Sequence, residues 1–116
     1  MAWKGKIIEE SLLDQDILHR VKIINREKIK PTDKEHAENT WFVSKIEVCD
    51  EKLEFIRKLA QNSLRSDWSC CLKNKDERLV IFEGKSFKIK KDDSKAVAEI
   101  KKYAKSKGIP RNHIEI

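Results

Sequence analysis

The stretch from Arg78 to Lys91 constrains the fold most, because it contains a complete β-hairpin signal. An apolar run, Leu79 to Phe82, leads into a turn at Gly84, and Phe87 and Ile89 then alternate with polar residues. A period of two is typical of a strand with one buried and one wet face. Glycine supplies the positive φ that a tight turn requires. The hairpin therefore predicts strand direction, register and the buried face for this segment.

Similar patterns predict four further strands: Trp3–Glu9, Arg20–Lys30, Trp41–Cys49 and Ser66–Lys73. Gly5 in the first strand indicates a bulge or a close backbone approach. Ile24 is out of phase in the second strand, which predicts a bulge there. The segment Pro31–Thr40 is nearly devoid of apolar residues and is predicted to be the longest loop.

Two long helices and one short helix complete the predicted elements. Asp50 is expected to cap a helix that ends at Ser63, with apolar residues three and four apart. Asp92 or Asp93 is expected to cap a second long helix, stopped by Gly108 and Pro110. Ser11 to Asp14 has the spacing of a capping box, which predicts a helix of only two turns. The tail 111–116 alternates briefly and could pair at a sheet edge.

Six strands with helices after the first, third and sixth predict a single α+β domain over residues 1–116, with a mainly antiparallel sheet. The first two thirds follow the order of a ferredoxin-like, or split βαβ, unit, and the last three strands form a meander. The first helix is short for a unit of that kind, because it would have to cover half of a sheet.

The net charge of +6 is concentrated at the C-terminal end, where residues 84–116 hold 10 basic and 4 acidic side chains. A basic end can contact phosphate backbones or an acidic protein. The candidate contacts are Lys85, Lys88, Lys90, Lys101, Lys105 and Arg111. The alternative is a solvated, lysine-rich surface. Phe82, Phe87 and Tyr103 lie in phases assigned to the core, so no platform for base stacking is predicted.

Trp3, Trp41 and Trp68 each lie near the start of a predicted strand. They are interpreted either as core residues or as an apolar patch that receives a partner subunit or a small ligand. Open sheet edges can be covered by pairing with a second copy of the chain. The sequence therefore leads us to expect a homodimer.

No motif for catalysis, a metal or a cofactor is recognisable. Gly84-Lys85-Ser86 lacks the second glycine of a phosphate-binding P-loop. The three histidines are not spaced as metal ligands, and the Asp pairs lie where helix capping explains them. No apolar run reaches the length of a membrane span. Cys49, Cys70 and Cys71 form no pairing motif, which, with no signal peptide, predicts a reducing cytoplasm.

Three segments carry a resemblance: Ile7 to Leu12, Leu79 to Ile89, and Tyr103 to Pro110. In these the chain resembles a group of short prokaryotic proteins of unknown function, and the resemblance implies no activity, cofactor or catalytic residue. The sequence thus favours a non-catalytic, cytoplasmic, self-associating binding domain. The alternative is a domain that binds RNA or single-stranded DNA through its basic C-terminal third.

Overall fold

The computed structural model describes residues 2–29 and 41–109. Its elements are β1 (Ala2–Ile8), β2 (Lys22–Ile29), β3 (Trp41–Cys49), α1 (Leu53–Ser63), β4 (Ser69–Lys73), β5 (Glu77–Phe82), β6 (Lys85–Lys90) and α2 (Ser94–Ser106). Short 3-10 turns lie at Glu9–Ser11, Gln15–His19 and Asp50–Lys52. No helix among these residues is long and apolar enough to cross a membrane.

The six strands form one antiparallel sheet in the order β2-β3-β1-β4-β5-β6. The predicted α+β class and antiparallel sheet are confirmed. β3 lies between β1 and β2, and β1 lies between β3 and β4. Each strand–connection–strand unit is therefore split by a strand of the other unit, as in a split βαβ arrangement. The 3-10 turns stand where the first helix would be, and β5 and β6 extend the sheet as a meander.

The two helices cover opposite faces of the sheet. α1 contributes Ile56 and Ala60 to a core cluster with Trp3, Leu79 and other sheet residues, and we call this side the α1 face. α2 packs Ile100 and Ala104 on Cys71, Val80 and Phe82 on the other side. Cys70 and Cys71 consequently belong to different clusters, as alternation along a strand requires. The described part of the second cluster includes nothing from β1, β2 or β3, so no described helix covers this side of those strands, and we call it the open face.

Several local predictions are confirmed by the backbone. A Cβ on Gly5 would lie 2.1 Å from the carbonyl oxygen of Cys71, which is the close approach that the glycine indicates. The register of β2 shifts between Ile23 and Asn25, where the bulge was expected. Gly84 has a φ of +72° in the hairpin turn. The Asp93 carboxylate caps α2 by accepting a hydrogen bond from the backbone N–H of Ala96 at 3.1 Å.

The predicted cap at Asp50 is wrong. The segment begins with a 3-10 turn, α1 starts only at Leu53, and neither start has a side-chain cap. The Asp50 carboxylate instead accepts a hydrogen bond from the Trp3 indole Nε1 at 2.6 Å. A contact across 47 residues therefore overrides the local capping preference.

The capping box at Ser11 is also wrong. The Ser11 hydroxyl donates to the carbonyl of Ile8 at 2.6 Å, and Asp14 caps the following 3-10 turn through the N–H of Asp16. The fourth predicted strand starts at Ser69 because a turn bond from the Trp68 N–H to the Arg65 carbonyl precedes it. The loop predicted at Pro31–Thr40, Pro110 and the tail 111–116 lie outside the described residues.

Candidate anion-binding face

The strand register places basic side chains in two adjacent rows on the open face. The first row crosses β2, β3, β1, β4 and β5 through Lys22, Glu47, Lys4, Lys73 and Arg78. The second row crosses the same strands through Asn25, Lys45, Lys6, Cys71 and Val80. Residues two apart on a strand share a face, and neighbouring strands lie about 4.8 Å apart. The two rows therefore place six basic residues and one acidic residue close together on five adjacent strands.

A cavity of about 370 Å³ opens between these rows. Lys4, Lys6, Lys45 and Lys73 line it, together with Gly5, Ile24, Ile46 and Cys71. We call the four lysines and this cavity the lysine groove. Cys71 also packs in the core cluster of α2, so the helix borders the groove. Ile24, half exposed at 50%, adds an apolar contact to it.

The lysines of the groove are not neutralised by ion pairs in the part of the chain that the structure describes. The register sets Lys6 opposite Lys45 and Lys4 opposite Lys73, and like charges directly opposite destabilise a sheet. Within residues 2–29 and 41–109, none of the four forms an ion pair. The one carboxylate in the rows, Glu47, is a register neighbour of Lys4 without forming an ion pair to it. The groove thus presents uncompensated positive charge.

The basic residues predicted from the sequence are divided between two sides of the molecule. Lys88 and Lys90 lie on the α1 face of β6, where the Lys88 ammonium sits 5.5 Å from the Trp3 ring. Lys85 lies on the other side, 5.1 Å from both the Phe87 and Tyr103 rings. Lys101 and Lys105 are exposed on α2, and Arg111 lies outside the described residues. The described members of this set therefore do not converge on one surface.

All three tryptophans are buried, with exposed fractions of 1% for Trp3, 6% for Trp41 and 5% for Trp68. They belong to the core cluster of the α1 face, so the core interpretation applies and they form no exposed patch. β3 and β4 both run antiparallel to β1 and therefore start at the same end of the sheet. Accordingly Trp41 and Trp68 meet edge to face at 4.9 Å.

Self-association stays a prediction. Of the two observations that suggested it, the three tryptophans and the open sheet edges, only the edges are left. The edges of the sheet are β2 and β6, and they are free to pair in the part of the chain that the structure describes. Both edges carry lysines, Lys22 and Lys28 on β2 and three on β6. Charged side chains on an edge disfavour pairing with a second sheet.

The lysine groove was missed from the sequence because its members come from three strands far apart in the chain. Residues 1–83 have as many acidic as basic side chains, and this balance hid a local excess. A usable signal was the alternation Trp3-Lys4-Gly5-Lys6-Ile7, which already predicts two lysines on one wet face.

The chemistry on this face is charge recognition. None of the described residues that line the groove is aromatic, and the lysines supply point charges that attract oxyanions without reading their shape. Among the described residues, no group of three or more His, Cys, Asp or Glu side chains is arranged to hold a metal ion.

Comparisons of the chain with protein-family models, with curated proteins and with solved structures found no match.

Proposed function

We propose that this protein binds single-stranded nucleic acid through the lysine groove. The observation that carries the proposal is a set of four lysines that line one cavity on the open sheet face and have no ion-pair partner among the described residues. The free-energy cost of opposing Lys6 to Lys45 is offset when an external anion lies between them. Phosphates of a nucleic-acid backbone supply such anions in series.

A single strand fits this surface better than a duplex. The described residues that line the groove lie on β1, β2, β3 and β4, so its floor is the sheet itself. A duplex is stiff over about 150 base pairs and is read by elements that protrude into its grooves. A flexible strand can follow a concave floor and bring successive phosphates to the lysines of both rows.

The contacts favour the backbone over the bases. Base-stacking platforms need exposed aromatic rings, and the rings nearest this side, Phe87 and Tyr103, pack against each other and against Phe82. The binding is therefore expected to tolerate different sequences and to weaken steeply with salt. With about four phosphate contacts, log K should fall with log salt at a slope of about −3.

This proposal moves the nucleic-acid interface from the C-terminal third to the centre of the sheet. The protein-interaction function that the sequence favours was inferred from the tryptophans and from the open sheet edges, and the burial of the tryptophans removes the first of these two reasons. Open edges still permit a dimer, and light scattering tests that separately.

The test measures fluorescence anisotropy of labelled oligo(U) and oligo(dT) 15-mers at about 25 mM NaCl, where a sequence-independent interaction is measurable. The Lys6→Glu, Lys45→Glu double variant should bind at least about tenfold more weakly, and its salt slope should shrink by about 1.4. The two reversals keep a like-charge pair on the same register pair, so folding should be retained, and far-UV circular dichroism checks this.

The matched control is Lys101→Glu, Lys105→Glu, which makes the same change of charge on the exposed surface of α2. Its affinity should stay within about threefold of the wild type, because long-range screening reduces the effect of distant charges. Equal weakening of both variants would favour diffuse attraction to a basic protein. Absence of binding at low salt, or equal affinity for poly-glutamate, would contradict the proposal.

A further inference from the structure

Arg78 lies at the β5 end of the first basic row, and one nitrogen of its guanidinium group has no hydrogen-bond partner among the described residues. In the register its neighbours are Lys73 on β4 and Ile89 on β6. The residue is half-buried, and its Nε atom is buried with no hydrogen-bond partner among the described residues. Its nearest neighbour in the row therefore has the same charge, which raises the cost of leaving the group unpaired.

The other described arginines all have partners. Arg20 pairs with Asp16 at 3.3 Å, Arg26 with Glu9 at 2.6 Å, and Arg57 with Glu54. The Arg65 Nε donates to the carbonyl of Glu10 at 3.2 Å. Arg78 differs from these four although its Nε is buried from water. A buried donor without a partner is rare in a native fold and needs an explanation, of which a bound ion is one.

We propose that Arg78, Lys73 and Lys4 form a seat for one phosphate group at this end of the groove. These three residues lie on adjacent strands, in consecutive positions of the same row. The guanidinium fork can donate two parallel hydrogen bonds to two oxygens of a tetrahedral oxyanion, and the lysines neutralise its charge. Ile89 on the far side of Arg78 is half-buried and gives the seat an apolar wall.

The seat deepens the proposed function and rests on it for one point, namely that the phosphate belongs to a bound strand. The fork and the two lysines suit a phosphate oxyanion, which a backbone phosphodiester, a terminal phosphomonoester or inorganic phosphate can each supply. The seat differs from the lysine groove in that its hydrogen bonds have a fixed direction. A lysine tolerates many approach angles, whereas the planar fork of Arg78 fixes where one phosphate lies and thus the register of the strand.

The experiment follows the Nε–Hε resonances of ¹⁵N-labelled protein by NMR in a phosphate-free buffer. The additions are inorganic phosphate alone, a 5′-hydroxyl oligo(dT) 12-mer and the same 12-mer with a 5′-phosphate. Arg78→Lys, which keeps the charge and loses the fork, identifies the Arg78 signal and should bind the 12-mer about tenfold more weakly. Arg65→Lys is the control, because it removes a fork on another surface, and its affinity should not change.

The outcomes separate the seat from the proposed function. A shift of the Arg78 signal with all three additions supports the seat, and a larger shift with the 5′-phosphate assigns it to a strand terminus. A shift with inorganic phosphate but with neither oligonucleotide supports the seat and contradicts the proposed function. Binding of the 12-mer with no shift of this signal, and with unchanged affinity in Arg78→Lys, overturns the seat and leaves the lysine groove standing. Where Arg78→Lys does not fold, resonance assignment of the wild-type protein identifies the Arg78 signal instead.

Discussion

The two faces of the β1–β3 pair carry charge in opposite ways. On the α1 face, the Glu9 carboxylate accepts hydrogen bonds from Arg26 at 2.6 and 3.0 Å and from the Ser44 hydroxyl at 3.0 Å. On the open face, Lys45 follows Ser44 in the chain and faces Lys6 with no carboxylate between them. Of two consecutive residues of β3, Ser44 thus contacts the Glu9–Arg26 ion pair, whereas Lys45 lies opposite another lysine. Charge with internal partners holds strands together, and charge without them is available to an external anion.

The Glu9 site is built as a closed network. The Arg26 guanidinium lies 4.1 Å from the centre of the Phe42 ring, and the Phe42 N–H donates to Glu10 at 2.6 Å. Glu9 is only 7% exposed. The hydrogen bond from Arg26 is the main cause that lowers the pKa of Glu9 below its ordinary value of 4.5, with help from Ser44 and against the effect of burial.

The largest expected effect follows from opening this network. Glu9→Gln removes the charge that Arg26 and Ser44 recognise, and it should lower the free energy of unfolding by about 1.5 kcal/mol, the lower end for hydrogen bonds to charged groups because Arg26 is half exposed. Urea denaturation at pH 7 measures the change. Glu54→Gln is the matched control, since Glu54 pairs with Arg57 on the surface and such pairs contribute little. Equal loss in both variants would contradict a special role for the buried network.

The pH dependence of stability tests the same buried network in a second way. A carboxyl group whose folded pKa is lowered stabilises the protein above its unfolded pKa, and the stabilisation is lost as the pH falls through the folded pKa. The wild type should therefore lose stability below about pH 4.5 more steeply than Glu9→Gln, which has no proton to take up there. Urea midpoints measured from pH 7 down to pH 3 should converge for the two proteins. Parallel curves would show that Glu9 has its ordinary pKa in the folded state.

These two faces also mark what could be predicted from the sequence. The hairpin, the long helices and the bulge follow from local patterns, because turn chemistry and apolar periodicity act over a few residues. Gly5 could be interpreted as a close approach since few other features explain glycine inside a strand. The Asp50 cap was wrong because a distant indole, from Trp3, takes that carboxylate. Local preference fails where a tertiary partner is stronger.

The candidate site depends on tertiary arrangement and not on local sequence patterns. Lys6, Lys45 and Lys73 converge only because β1 lies between β3 and β4, and strand order is not encoded in any one segment. The C-terminal excess of lysine was visible in the composition, yet the fold distributes it over two sides. Net charge along the chain therefore does not identify which basic side chains share a surface, whereas the alternation of Lys4 and Lys6 predicts two lysines on one face of β1.

The smallest expected effect concerns the opposed lysines themselves. Lys6→Gln and Lys45→Gln, made singly and together, form a double-mutant cycle in which strand propensities cancel. Either single change should relieve the repulsion and the second should add less, so the cycle should give a repulsive coupling of about 0.2 to 1 kcal/mol at low salt. Urea denaturation at about 25 mM NaCl measures it. The variants should bind oligonucleotides more weakly while they unfold less readily.

Salt distinguishes this coupling from a packing effect. At about 1 M salt the screening length falls to about 3 Å, so a Coulombic term between Lys6 and Lys45 should vanish. A coupling that persists in salt would have to come from contact between the side-chain stems. A coupling of zero at low salt would mean that the ammonium groups spread apart into water, and the groove would then lose the charge density on which nucleic-acid binding depends. When the same substitutions raise stability and weaken binding, the two lysines serve ligand binding at a cost to the stability of the fold.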